Sequence, residues 1–303
     1  MKFKKLTPDD YPKLKNFFIN QKYQHSAYCL TSIIAWSTEF YHPVGATDGD
    51  TLFVGAEFIK HPDRRHLIMP ISINSEFNPK KLYQIAKDTG YHQYFFVPEE
   101  YINTYGKDRI ASLFTVTEQT AFKDYVYLTQ DLATLEGNKY SKKRNLINQF
   151  KREFVTRKFV KTAPITKDIA DECIDFLEKW CEERKCDKET DEELYCEKQA
   201  AINTIKNVDL LGVDSLFLRL DGKISAFGMA SRLTPDMGVF HFEKAFSEIK
   251  GLYQYFDNLC AKKLFKQYSY INKESDMDLP GLAKAKKSYY PIKMIKSFRL
   301  VLR

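Results

Sequence analysis

The run from residue 238 to 274 limits the fold more than any other feature of this chain. Residues 238–246 read as an apolar strand, a helix follows from Gly251 to about residue 265, and 268–274 read as a second strand. Three strands lead up to this point, at 215–220, 224–232 and 238–246. Asp221-Gly222 supplies a tight hairpin signal between the first two. Ahead of them lie a strand at 159–163, a helix from Lys167 to about residue 183 capped by Thr166, and a helix at about 193–207. Behind them come a short helix at 282–288 and a strand at 293–302. The second half therefore runs β-α-α-β-β-β-α-β-α-β.

The first half shows a related order. Thr7, Pro8 and Asp10 form a capping-box-like helix entry, followed by apolar Tyr11, Leu14, Phe17 and Phe18 at helical spacing. A second helix is expected at 31–38, then strands at 51–59 and 66–73 across the His61-Pro62-Asp63 turn. A helix opened by Pro79 stops at Gly90, a strand covers 92–97, and 114–127 holds two more. No residue-level repeat joins the halves, but the shared order predicts two similar domains. The division is 1–125, then 126–154 as a connecting strand and basic helix, then 155–303. No Gly/Ser-rich or Pro-rich linker separates them, so they are expected to pack as one body. The fold class is α/β (α+β), with a mixed, mostly antiparallel sheet flanked by helices in each domain.

Charge is polarised. Nine Lys or Arg and one acid lie between 139 and 161, and seven Lys or Arg and no acid between 279 and 303, whereas 182–197 holds eight acids and three bases. Such a chain can present a polyanion-binding face; a solvated helix face is the plain alternative. No run of 18 apolar residues is present, so no transmembrane segment is expected. The N-terminus carries no apolar run behind its lysines, so a cytoplasmic location is expected. Six cysteines, at 29, 173, 181, 186, 196 and 260, form no C-x-x-C pair and match no zinc spacing. Reduced thiols and no metal are expected.

Two stretches carry a family resemblance. One is Tyr127-Leu-Thr-Gln-Asp-Leu-Ala-Thr-Leu-Glu-Gly-Asn-Lys-Tyr-Ser-Lys-Lys-Arg-Asn-Leu-Ile-Asn-Gln-Phe150; the other is Asn272-Lys-Glu-Ser-Asp-Met-Asp-Leu-Pro-Gly-Leu-Ala-Lys-Ala-Lys-Lys-Ser-Tyr-Tyr-Pro291. Together they resemble the bacterial family built on the C-terminal domain of phosphatidylglycerol lysyltransferase, whose members are tandem GNAT-like proteins. The resemblance implies two GNAT-like domains, with strands 238–246 and 268–274 parallel and splayed. It also implies a transferase of acyl or aminoacyl groups with aminoacyl-tRNA or acyl-coenzyme A as donor. The membrane-embedded part of the lysyltransferases is absent from this stretch of sequence, and an anionic membrane surface remains a possible partner beside tRNA. The first domain is expected to be degenerate, because Pro98-Glu99-Glu100 follows its 92–97 strand where a phosphate-binding glycine turn belongs.

Candidate site residues follow from strand alternation. His241 and Glu243 should share one strand face, and Phe240, Phe242 and Phe246 the other, with Lys244. Asn272 and Glu274 should likewise share a face. The four polar groups are expected to line one cavity, where a shielded carboxylate takes a proton from the acceptor. The structural alternative pairs the carboxylates with Lys244, Lys273 or Arg232. In GNAT enzymes the turn after this strand holds the coenzyme A pyrophosphate on backbone N–H groups. The matching positions are Lys250, Gly251 and Leu252, but Glu248 puts a negative charge there and Tyr253 a bulky side chain, which argues against tight coenzyme A binding. Tyr290 matches the segment that often supplies a general acid. Lys142, Lys143, Arg144, Lys151 and Arg152 are expected to project from the basic helix, and Lys284 and Lys287 from the 282–288 helix, toward a polyanion. No G-x-S-x-G elbow, Walker loop, H-E-x-x-H or G-x-G-x-x-G occurs.

Overall fold

The structure is a computed structural model that describes residues 1–72, 74–184 and 192–303. Its strands form two mixed sheets. The second sheet runs, from one edge, through Val160–Ala163, Asp214–Leu220, Lys223–Thr234, Met237–Ala245 and Tyr270–Asn272, then Asp124–Leu128 and Lys293–Ile295. The first four are antiparallel neighbours in a meander closed by the Asp221-Gly222 turn. Tyr270–Asn272 is parallel to Met237–Ala245, as a strand–helix–strand crossover requires. The crossover helix is Leu252–Leu264. This is the GNAT-like order expected of the second half. Among the described residues, no helix is long and apolar enough to cross a membrane.

The first sheet contains Lys4–Lys5, Tyr41–Asp48, Thr51–Phe58, His66–Leu67 and Gln93–Pro98, then Ser297–Leu302 and Phe114–Glu118. Tyr41–Asp48 was not expected, since Pro43 and Gly45 interrupt its strand pattern; it pairs along its whole length with Thr51–Phe58. Gly45 is needed there, because a Cβ would meet the buried Leu6 side chain at 2.8 Å. The run expected at 66–73 is broken into His66–Leu67 and Ile71–Ser72. The Thr7–Asp10 capping box forms, and Pro79–Thr89 ends on Gly90 in the left-handed region.

The two halves exchange strands. Asp124–Leu128, which ends the first half, lies in the second sheet between Tyr270–Asn272 and Lys293–Ile295. Ser297–Leu302, which ends the chain, lies in the first sheet between Gln93–Pro98 and Phe114–Glu118. The single strand expected at 293–302 is thus two strands that belong to different sheets, parted at Lys296. The division at 125 and 155 does not foresee this, because alternation says which face a strand buries and nothing about which sheet receives it.

Helices Lys167–Arg184 and Glu192–Lys206 cover one face of the second sheet, and Ser141–Phe150 with Leu252–Leu264 the other. The basic helix continues as a π-turn at Lys151–Val155. Cys29, Cys173 and Cys260 are buried thiols. Cys181 is disulfide-bonded, which corrects the expectation of reduced thiols throughout, and Cys186 lies outside the described residues.

Leu300 is fully buried in the core of the first half, although only three residues follow it. Leu300→Ala should cost about 2–5 kcal/mol, the usual range for such a cavity. Hydrogen exchange should speed up at 93–98 and 114–118 while the 214–245 strands stay protected; uniform loss of protection would contradict the strand exchange.

Candidate active site at the splayed strands

The ladder between Met237–Ala245 and Tyr270–Asn272 has three residue pairs and ends at Val239 and Asn272. Gly238 permits this closeness, since a Cβ there would stand 2.8 Å from Tyr268 and 2.9 Å from Phe265. Beyond it the strands separate. Glu274 has φ +57°, which turns the chain away. On the other side of Met237–Ala245, Met229 pairs with Phe242 and Ala230 with Phe240, so His241 is the extra residue of a β-bulge. The bulge breaks the alternation assumed from sequence. Phe240 enters the core beneath the 252–264 helix, and Phe242 the core beneath the 167–184 helix. Phe240 and Phe242 therefore do not share a face, and His241 and Glu243 enter different clusters.

His241, nearly buried, joins the first. Its Nε2 lies 2.6 Å from Ser231 Oγ and 3.7 Å from Cys29 Sγ, and its Nδ1 lies 3.1 Å from Ser32 Oγ and 3.2 Å from Glu274 Oε1. Cys29 and Ser32 come from the first half, at the start of the Leu30–Ala35 helix. Burial alone would lower the His241 pKa, but the Cys29 thiol and the Glu274 carboxylate outweigh it and raise the imidazole to about 9. Burial likewise pushes the Cys29 thiol up, and His241 reverses that, leaving it below its ordinary value. Asn272 supports the cluster: its Oδ1 accepts the Glu274 backbone N–H at 2.7 Å, and its amide donates to Asp124 Oδ2 at 2.8 Å. His241, Asn272 and Glu274 are thus brought together as expected.

Glu243 belongs to a second cluster. Lys273 is hydrogen-bonded to Asp257 and lies 3.6 Å from Glu243 Oε2. Burial, with Asp257 beside it, lifts the Glu243 carboxyl to about 8 against the pull of Lys273. Lys273 is the partner that the structural alternative named. Lys244 instead pairs with Glu197 at 2.7 Å, and Arg232 donates to the Ile19 carbonyl. Tyr289 is packed into this cluster, where burial and Asp257 push its hydroxyl pKa up. Tyr290 is exposed, with φ +56°, and meets Tyr140 edge-on at 5.5 Å. Of the two tyrosines, it is Tyr289 that reaches Glu243's surroundings.

Sequence reading missed Cys29, Ser231, Asp257, Lys286 and Tyr289. Lys286 turns inward and donates to the carbonyls of Glu274 and Ser275, and burial lowers it to about 8. For Lys273 the signal was available, since it sits between Asn272 and Glu274 and must face the other way. No local signal marks Cys29, which is more than 200 residues from its partners.

At the following turn, Gly251 is left-handed, with φ +83°. A Cβ there would stand 2.3 Å from the Leu146 carbonyl oxygen, so the Ser141–Phe150 helix packs directly on the turn. The Leu252 N–H is already bonded to the Ile249 carbonyl, and the Leu252 side chain is buried. Lys250 and Glu248 are exposed. The Tyr253 hydroxyl accepts the Trp180 indole N–H at 3.3 Å. Lys142, Lys151, Arg152, Lys284 and Lys287 are exposed as expected. Lys143 and Arg144 are not: Lys143 lies over the Tyr289 ring and donates to Ser288, and Arg144 donates to the Leu135 and Gly137 carbonyls. The carbonyls left open at the end of the 129–134 helix draw Arg144 in. Among the described residues, no cluster of His, Cys, Asp and Glu has a metal-binding arrangement.

The raised carboxyl makes a pH prediction. The folded protein keeps a proton on Glu243 that the unfolded chain loses above about 4.5. Stability from this group is complete below that pH and falls as pH rises through about 8. Urea unfolding should show a loss of roughly 5 kcal/mol between those limits, and Glu243→Gln should flatten that slope. Equal slopes in the two proteins would refute the assignment.

The comparisons agree with this architecture. A conserved protein of unknown function from Bacteroides thetaiotaomicron is 28% identical, with a TM-score of 0.88 and 100% of each chain covered. The C-terminal domain of a putative lysylphosphatidylglycerol synthetase from Agrobacterium fabrum is 13% identical, with a TM-score of 0.64 over 97% of this chain and 92% of that one. No curated protein matches. The family described as phosphatidylglycerol lysyltransferase, C-terminal, matches residues 66–301. With that match over most of its length, and with the splayed GNAT-like sheet at its centre, the chain belongs to the phosphatidylglycerol lysyltransferase C-terminal family.

Proposed function

We propose that this protein transfers an activated acyl group, from an aminoacyl-tRNA, to an amine or hydroxyl acceptor at the splayed strands. The observation that carries the reading is the placement of proton-exchanging groups around that opening, with His241 and Glu274 in one cluster and the raised carboxyl of Glu243 in the other. Family and fold support an acyltransferase-type function.

At neutral pH Glu243 holds its proton and can pass it to the leaving oxygen of the donor, then take one from the attacking acceptor. Glu274 is the second candidate base, with His241 beside it. A bulge takes one residue out of the ladder, so a backbone amide next to His241 is the candidate donor to the oxyanion. The turn at Gly251 favours an aminoacyl-tRNA over coenzyme A. Its glycine is covered by Leu146, Tyr253 stands bulky at the turn, and Glu248 opposes a pyrophosphate. The exposed Lys142, Lys151 and Arg152 can contact a phosphate backbone, and the binding would weaken as salt rises.

Thermal shift with charged tRNA, acetyl-coenzyme A and anionic vesicles tests the donor. Charged tRNA should raise the melting temperature and acetyl-coenzyme A should not. A shift with acetyl-coenzyme A alone would make the protein an N-acetyltransferase, and a shift with tRNA without any transfer would make it an RNA binder. In the transfer assay, Glu243→Gln should lower kcat by roughly 100-fold with KM little changed. Full activity in folded Glu243→Gln and Glu274→Gln proteins would remove both candidate bases.

A further inference from the structure

One chain of polar atoms runs between the halves, and two of its members, Cys29 and Ser231, have no place in the transfer just described. Cys29 Sγ lies 3.0 Å from Ser231 Oγ, Ser231 Oγ lies 2.6 Å from His241 Nε2, and His241 Nδ1 lies 3.2 Å from Glu274 Oε1. Sγ is also within 3.7 Å of Nε2 directly. The order is thiol, imidazole, carboxylate, with one ring nitrogen toward the thiol and the other toward the acid. That is the arrangement in which a base activates a nucleophile and a third group orients the base.

Its position favours use over filling. Burying a thiol, a hydroxyl, an imidazole and a carboxylate together costs more than packing apolar side chains of the same volume. The thiol comes from the first half and the imidazole and acid from the second, so the group exists only when both halves are folded. The inner members, Cys29 and Ser231, are buried, while Ser32 and Glu274 are partly exposed, with the Glu274 side chain 25% exposed. Glu274 follows the last pair of the ladder by two residues, so the partly exposed end of the cluster lies where the strands part.

We propose that Cys29 is a nucleophile that carries the acyl group as a thioester, with His241 as its proton acceptor and Glu274 as the residue that positions His241. The inference rests on the acyl-transfer reading and adds a covalent intermediate to it. In the first step the proton of Cys29 passes to His241 and Sγ attacks the ester carbonyl carbon. The C–S bond forms, the C–O bond to the donor ribose breaks, and the leaving oxygen takes the proton from His241. In the second step the acceptor attacks the thioester and gives its proton to His241. The C–S bond breaks, and the departing sulfur takes that proton back. No oxidant or further reactant is needed. The imidazole raised to about 9 and the lowered thiol fit a pair in which His241 draws the proton from Cys29.

The test uses p-nitrophenyl acetate on the full folded chain, with acid quench and peptide mapping by mass spectrometry. One acetyl group should appear on Cys29, and neutral hydroxylamine should remove it. Labelling should be absent in Cys29→Ala and slower by roughly 100-fold in His241→Gln. Glu274→Gln should slow it less and move its pH profile. Thiolate ultraviolet absorbance at neutral pH should fall in His241→Gln, which is read without any acyl donor and shows the pair even in a variant of reduced stability. Acetyl groups on Ser231, on lysines alone, or nowhere would overturn the proposal. Transfer from a native donor that survives Cys29→Ala would overturn it too, and would leave the proposed function standing as direct transfer. Cys29 acetylation without transfer from any native donor would instead remove the proposed function and keep the nucleophile.

Discussion

The short ladder between Met237–Ala245 and Tyr270–Asn272 is the constraint on which the rest of this structure depends. Three residue pairs hold the strands parallel, and a Cβ at position 238 would already collide with the rings of Phe265 and Tyr268. Past Val239 and Asn272 the backbone hydrogen-bonding groups of both strands must find other partners. The solutions are specific: a bulge at His241, a left-handed Glu274, and the inward Lys286 ammonium on the carbonyls of Glu274 and Ser275. Only Lys286 satisfies backbone groups, the carbonyls it caps, but each places a titratable side chain where the strands part.

The bulge also separates two chemistries. On one side a histidine is held among a thiol, two hydroxyls and a carboxylate. On the other a carboxyl is raised by burial next to an aspartate–lysine pair. With a regular strand, His241 and Glu243 would have faced the same way and shared one field. A single inserted residue keeps their charges apart and lets their pKa values move independently.

This explains what could be read in the sequence. The element order of the second half, the Gly90 stop and the capping box at Thr7 all follow from periodicity and local turn chemistry, which act within a few residues, whereas the parallel pair was implied by the family resemblance. Asn272 was found because it ends a strand beside the one that carries His241. Glu243 was misplaced relative to His241 because nothing in the run from Gly238 to Phe246 marks a bulge; it is fixed by the register with Met229 and Ala230. Lys143 and Arg144 look like surface charge in a basic helix, yet a ring and two open carbonyls draw them in. Cys29 was invisible for the same reason that Ser297–Leu302 was assigned to the wrong sheet: both depend on contacts across most of the chain.

The exchanged strands bear on how such a protein can be made and inherited. While the chain emerges from a ribosome, Gln93–Pro98 and Phe114–Glu118 wait with a gap between them until residues 297–302 have been made. The first half therefore stays unfinished while the second half is synthesised, a long interval in which its open edges are exposed to other chains. The same clasp removes any clean cut point. A crossover in the middle of the gene would leave each product with an incomplete sheet, so the two halves are bound to travel through evolution as a pair.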